Sequence, residues 1–227
     1  MIKAVIFDLD NTLLDFMKMK QNAVQASVKG MIGAGLDVDF DDAVKSIFNI
    51  YDLKGYEYQE VLDDFLITTL GKQDFKILAS GIVSYRKAKE ASLELYTNVN
   101  KTLNSLASFG LKLGVVSDAP SREAWLRLCY LNLHNIFDAV VTFDDTGVYK
   151  PSPIPFRLIS KLLDIDPKNA IMIGDWPDRD VIGAREVGMK TAFAKYGDTF
   201  NTEISGADYD LDDIYELVDI IKSENEI

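Results

Sequence analysis

Ala4-Val5-Ile6-Phe7-Asp8-Leu9-Asp10-Asn11-Thr12 is the stretch on which the fold turns: four apolar residues, then two carboxylates two positions apart, then a threonine. An apolar run without alternation reads as a strand covered on both faces, the condition of a parallel sheet flanked by helices. The carboxylates then fall at the strand's carboxyl end, the edge where open α/β sheets bind ligands. Side chains two residues apart can converge on one point, and carboxyl groups titrating near ~4 are both ionised at neutral pH. Like charges that close call for a hard cation with oxygen ligands, and magnesium favours a few carboxylates plus water and phosphate oxygens. Taken alone, the pair reads more simply as a helix N-cap or a solvated turn.

Working outward, four more runs have the same character: Lys112–Val116, Ala139–Thr142, Ala170–Ile173 and Lys190–Ala194. Helical patterns over Arg122–Leu133, Ile154–Leu163 and Val181–Val187 lie between them, with Gly188 as a C-terminal cap. Strand and helix in alternation predict a three-layer α/β core, a Rossmann-like parallel sheet with right-handed crossovers. The gap between the first two strands breaks that rhythm. From residue 16 to 95 the apolar positions recur at helical spacing, as in Val61, Leu62, Phe65, Leu66 and Leu70, and predict an inserted helical cap. The domains expected are a core of 1–15 with 96–227 and a cap of 16–95.

Composition narrows the chemistry. The chain of 227 residues is 48% hydrophobic and 26% charged, the balance of a folded globular protein. No run approaches the ~18 consecutive apolar residues of a membrane helix, and carboxylates stand where a signal peptide would stay apolar, so a cytoplasmic location is expected. A net charge of −12 disfavours nucleic acid and anionic membrane surfaces as partners. It also means that a phosphorylated ligand needs a cation and local donors. One cysteine, Cys129, and one histidine, His134, are too few for a structural zinc and leave little room for Ser-His-Asp or Cys-His catalysis. Gly183 to Gly188 has phosphate-loop glycine spacing, but Met189 precedes Lys190 where the loop requires lysine next, and no G-x-G-x-x-G follows the first strand.

Three further polar clusters follow predicted strands. Ser117-Asp118 follows the second strand and reads either as an N-cap for a helix near Ser121 or as a hydroxyl set to bond a phosphate oxygen. Lys150-Pro151 places an ammonium beside a residue that fixes the local backbone, aimed at a phosphate or at a carboxylate nucleophile. Gly174-Asp175-Trp176-Pro177-Asp178-Arg179-Asp180 brings Asp175 to the same edge as Asp8, with Asp178 and Asp180 able to cap a helix, orient a metal-bound water or orient Lys150. Each is ordinary alone. Carboxylate, hydroxyl, lysine and carboxylate in that order, each after a strand, are hard to assemble from coincident caps.

The ordered set resembles the four motifs of the haloacid dehalogenase superfamily of hydrolases, and the helical insert resembles that superfamily's C1-type cap. The resemblance spans nearly the whole chain and implies a Mg2+-dependent phosphoric monoester hydrolase. In it Asp8 would be the nucleophile and Asp10 the general acid/base. Thr12, Ser117, Asp118 and Lys150 would serve the substrate, with Lys150 offsetting charge. Asp8, Asp175 and the Asp10 carbonyl would bind the metal, and Asp180 would support them. Dehalogenating members resemble this chain but lack the second aspartate of the first motif and need no metal, so Asp10 and Asp175 favour phosphoryl transfer. The chain also resembles a mainly archaeal branch for which glyceraldehyde 3-phosphate has been proposed as substrate, with phosphoglycolate a comparable small metabolite. A phosphomutase of the same fold and a catalytically silent binding protein are the alternatives, and the expected assembly is a monomer or homodimer. Lys18, Lys20, Tyr51, Lys54, Tyr56, Tyr58 and Arg86 are cap residues that either meet the leaving group or are simply core and solvated side chains. Trp176 departs from the small polar residue many relatives carry there; it either narrows the site or covers core.

Overall fold

The computed structural model describes residues 1–226. Two compact units emerge, Met1–Asp15 with Glu94–Ile227, and Phe16–Leu93. The five apolar runs all form strands: β1 (Ala4–Phe7), β2 (Lys112–Val116), β3 (Ala139–Val141), β4 (Ala170–Gly174) and β5 (Lys190–Ala194). A sixth, β6 (Tyr209–Leu211), was absent from the sequence expectation. Every pairing within the sheet is parallel and the order is β3-β2-β1-β4-β5-β6. The register places Phe7 beside Val115 and Ile173, so the residues that follow β1, β2 and β4 leave the sheet side by side.

The unit Phe16–Leu93 is helical: α1 (Phe16–Gly33), α2 (Phe40–Lys54), α3 (Val61–Leu70) and α4 (Phe75–Ala91). Asp39 and Asp74 start α2 and α4 by accepting backbone N–H bonds two and three residues on, which satisfies donors that a helix start otherwise leaves open. Val24, Val28, Met31, Ile47, Tyr51, Phe65 and Leu66 form its core. Gly81 lets α1 and α4 approach closely, since a Cβ there would lie 2.7 Å from Met31 Cγ.

Around the sheet lie α5 (Val99–Ser108), α6 (Ser121–Tyr130), α7 (Phe143–Thr146), α8 (Pro153–Leu162), α9 (Asp180–Glu186) and α10 (Glu216–Asn225). Phe156 and Ile159 of α8 and Ala184 of α9 cover Ala4, Ile6, Val116, Val141 and Met172. Burying each large apolar side chain there contributes about 1.5–3 kcal/mol before entropy is counted. The helix predicted to run to Leu133 stops at Tyr130, and His134 lies exposed in the turn that follows. The chain leaves and re-enters this unit through paired segments: Asp15 N–H donates to the Glu94 carbonyl and Tyr96 N–H to the Leu13 carbonyl. No helix among the described residues is long and apolar enough to cross a membrane.

Candidate active site

Strand ends set the site. Asp8 follows β1 and its N–H donates to the Ile173 carbonyl of β4 at 2.8 Å, fixing where its side chain departs. Lys150, brought from the segment between α7 and α8, places Nζ 2.6 Å from Asp8 Oδ1 and 2.6 Å from Asp180 Oδ1, and 3.3 Å from the Val116 carbonyl. The second oxygen of Asp180 accepts the Trp176 N–H. Gly174 makes this possible, because a Cβ there would sit 2.1 Å from Asp180 Oδ2. A carboxylate oxygen from each of Asp8, Asp175 and Asp180 falls within 4.8 Å of the others, and all three residues are buried.

Charge in this cluster is unbalanced. Burial opposes an ammonium, but Asp180, Asp8 and Asp118 outweigh it and hold Lys150 protonated. Burial pushes Asp8 up, with Lys150 pulling against it. Asp175 is driven well above the ordinary carboxylate range by burial and then by its neighbours Asp8 and Asp180. Burial likewise pushes Asp180 to about 7, against the pull of Lys150. Three buried carboxylates around one lysine leave negative charge to be met, and an all-oxygen donor set suits a hard divalent cation. The residues present therefore fit a metal.

Ser117 and Asp118 follow β2. Neither caps α6: its cap residue is Pro120, and the Ser121 N–H is taken by Asp144. The Ser117 hydroxyl instead accepts the Ala119 N–H at 3.1 Å, while its own N–H bonds the Val141 carbonyl, tying it between β2 and β3. Asp118 accepts the Lys150 N–H at 2.9 Å and Arg179 Nη1 at 2.8 Å, so it braces the lysine's backbone. Thr12 is fully buried; its hydroxyl donates to Asp175 Oδ1 at 3.4 Å and its carbonyl accepts from Tyr196. Here too a glycine permits close approach: a Cβ on Gly197 would fall 1.6 Å from the Asn11 carbonyl oxygen.

Asp10 is gripped from α6. Its Oδ2 accepts Arg127 Nη1 at 2.8 Å, and the Arg127 side chain is only 2% exposed. Sequence reasoning passed over Arg127. A signal existed, since Glu123 and Arg127 share the buried face of α6 with Ala124 and Leu128, and two charges in an apolar stripe are out of place unless paired. Arg179 was also missed. It stacks on Trp176 with its Cζ 3.8 Å from the ring centroid, and Trp176 meets Phe200 at 4.4 Å. Trp176 is thus the half-buried ring of a stack at the β4 loop, between Arg179 and the exposed Phe200. Asp178 is exposed beside it.

Comparison with known proteins identifies the family. Residues 5–194 match the family model described as haloacid dehalogenase-like hydrolase. The chain is 38% identical over 226 residues to a glyceraldehyde 3-phosphate phosphatase of Methanocaldococcus jannaschii, covering 98% of each chain. It is 31% identical to a protein of the same name from Pyrococcus furiosus, over 99% of this chain and 95% of that one. Among solved structures, a HAD phosphatase from Thermococcus onnurineus superimposes with a TM-score of 0.70 at 27% identity, over 97% of this chain and 98% of the other.

Proposed function

Because the chain belongs to the haloacid dehalogenase-like hydrolase family, we propose that it is a magnesium-dependent phosphatase of small phosphate monoesters that carries the phosphoryl group on Asp8. The observation that carries this reading is Lys150 Nζ held 2.6 Å from both Asp8 and Asp180, beside buried Asp175. A nucleophilic carboxylate needs a neighbour that draws off the charge of an approaching phosphate, and the lysine is fixed in that place by two anions and a carbonyl.

Asp8 attacks phosphorus and the bond to the leaving oxygen breaks as the acyl phosphate forms. Asp10 gives its proton to the departing alkoxide, then takes one from the water that cleaves the acyl phosphate, releasing inorganic phosphate and restoring Asp8. Ser117 and Thr12 supply hydroxyls, and Lys150 an ammonium, to the phosphoryl oxygens. Asp8, Asp175 and the Asp10 carbonyl would hold magnesium, with Asp180 keeping Lys150 and the Trp176 N–H in place. Bound there, the ion supplies charge neutralisation for the transferring group and the carboxylates around it. The helical unit is the cap, and glyceraldehyde 3-phosphate is the first substrate to test, since full-length relatives carry that name.

The test is hydrolysis of p-nitrophenyl phosphate and a panel of phosphorylated three- and two-carbon metabolites, phosphoglycolate included, with magnesium and with EDTA. The expected result is turnover that EDTA abolishes and that falls by at least about 10⁴-fold in Asp8→Asn, as removal of a nucleophile does. Retained activity in Asp8→Asn would reassign the nucleophile, and equal activity in EDTA would remove the metal.

A further inference from the structure

The pair between Asp10 and Arg127 is the feature of the site that the phosphatase reading leaves unexplained. Arg127 brings a guanidinium to the buried face of a helix otherwise lined there by Ala124 and Leu128, a costly placement unless the charge is met. It is met by Asp10, 117 residues earlier in the chain, at 2.8 Å. Lys150 performs a different task, since it bonds Asp8 and Asp180. The two carboxylates of the first motif are thus held by two different cations from two different elements, Asp8 by Lys150 and Asp10 by α6.

We propose that Arg127 is a positioning residue for proton transfer, holding Oδ2 of Asp10 so that the proton exchanged with the leaving group and with water is carried on Oδ1. This rests on the phosphatase reading above. A guanidinium has five donors and no acceptor, so a carboxyl oxygen facing it cannot carry the proton. A guanidinium N–H carried on a buried helix also restrains the carboxylate's rotamer, more than the end of a flexible ammonium chain would. In the first step Oδ1–H protonates the alkoxide as the bond from phosphorus to the leaving oxygen breaks. In the second, Oδ1 takes the proton of the water whose oxygen bonds to phosphorus as the Asp8 acyl phosphate cleaves.

Leaving groups separate this role from a merely structural one. An alkoxide must be protonated as it departs, whereas p-nitrophenolate leaves as a stable anion. Arg127→Met is expected to lower kcat on glyceraldehyde 3-phosphate by about 10²-fold, within the range of a lost general acid, and on p-nitrophenyl phosphate by less than 10-fold, with KM for both nearly unchanged. Arg127→Lys should recover part of the alkyl-phosphate rate. Asp10→Asn should show the same asymmetry, and Asp10→Asn with Arg127→Met should be no worse than Asp10→Asn alone, because the two act as a unit. Equal losses on both substrates in Arg127→Met overturn the inference. If that variant does not fold, Arg127→Lys decides by the same criterion. Failure of the wild type to hydrolyse either ester overturns the phosphatase reading itself, a result separate from any effect of Arg127.

Discussion

Each of the two units buries a lysine, Lys150 against carboxylates and Lys20 with aromatic rings and a tyrosine hydroxyl among its partners. In the sheet unit, Lys150 Nζ sits between the carboxylates of Asp8 and Asp180, each at 2.6 Å. In the helical unit, Lys20 of α1 lies 4.2 Å from the ring centroid of Tyr51 on α2 and donates to the Tyr85 hydroxyl of α4 at 3.0 Å. Tyr51 in turn stacks on Tyr56. Full charges at contact distance fix an ammonium to a few tenths of an ångström and compel it to stay protonated. Ring faces offer a broad, shallow attraction worth about 0.5–2 kcal/mol, which tolerates replacement by anything long and polarisable. The first arrangement suits chemistry on a neighbouring anion; the second suits packing around a cation.

The largest contrast is expected from deleting each charge. Lys150→Met strands Asp8 and Asp180 without their shared partner, and breaking a buried pair from one side costs about 3–5 kcal/mol. Phosphatase activity should fall by about 10²–10³-fold, as when a preorganised donor is lost. Lys20→Met sets a thioether against the same rings but loses the bond to the Tyr85 hydroxyl, so its cost should be smaller than that of Lys150→Met. Urea unfolding of both variants measures the contrast, and equal costs would erase it.

Magnesium sharpens the comparison from the other side. Because the sheet unit carries more buried carboxylate than lysine, a divalent cation should stabilise it: at 100 times its dissociation constant the ion adds about 2.7 kcal/mol. Thermal unfolding should therefore rise by several degrees with magnesium and fall back with EDTA. Asp175→Asn should cancel the shift, and Lys20→Met should leave it intact. A shift that survives Asp175→Asn would place the cation elsewhere.

How much of this was open to reading depends on how far each feature's partners lie along the chain. The five apolar runs announced themselves because a strand covered on both faces is locally apolar, whatever its neighbours. β6 did not, since Tyr209-Asp210-Leu211 is a three-residue edge strand with a charge at its centre. Asp8, Asp175 and Lys150 drew notice by standing just past strands or beside a proline. Asp180 was read as able to cap a helix, orient a metal-bound water or orient Lys150; the fold puts one of its oxygens on Lys150 and the other on the Trp176 N–H. Arg127 was marked only by its place in the apolar stripe of α6, and Arg179 not at all; their partners Asp10 and Asp118 arrive from distant segments. In the helical unit, spacing announced the helices, but which of its lysines would be buried depended on tyrosines from two other helices.

The smallest expected effects come from exposed carboxylates, one in each unit, and they test whether the contrast reaches the surface. Burial works against Asp208, but the N–H and hydroxyl of Thr191 and the guanidinium of Arg185 prevail and hold its carboxyl below the ordinary range. A carboxyl lowered by folding contributes stability above its unfolded pKa of ~3.9 and loses it as pH falls through the folded value. Asp208→Asn should therefore cost no more than about 1 kcal/mol at neutral pH after solvent screening, and nothing once the pH has passed below the folded value. Asp64 of the helical unit is also lowered, first by its bond from Lys54 and then by Tyr58. Its main partner is a solvent-exposed ammonium, so salt should remove the effect of Asp64→Asn, whereas Asp208→Asn should keep the part owed to the neutral donors of Thr191. Urea titrations at two pH values and two salt concentrations decide it, and an equal response to salt would mean that the two units hold their surface charges alike.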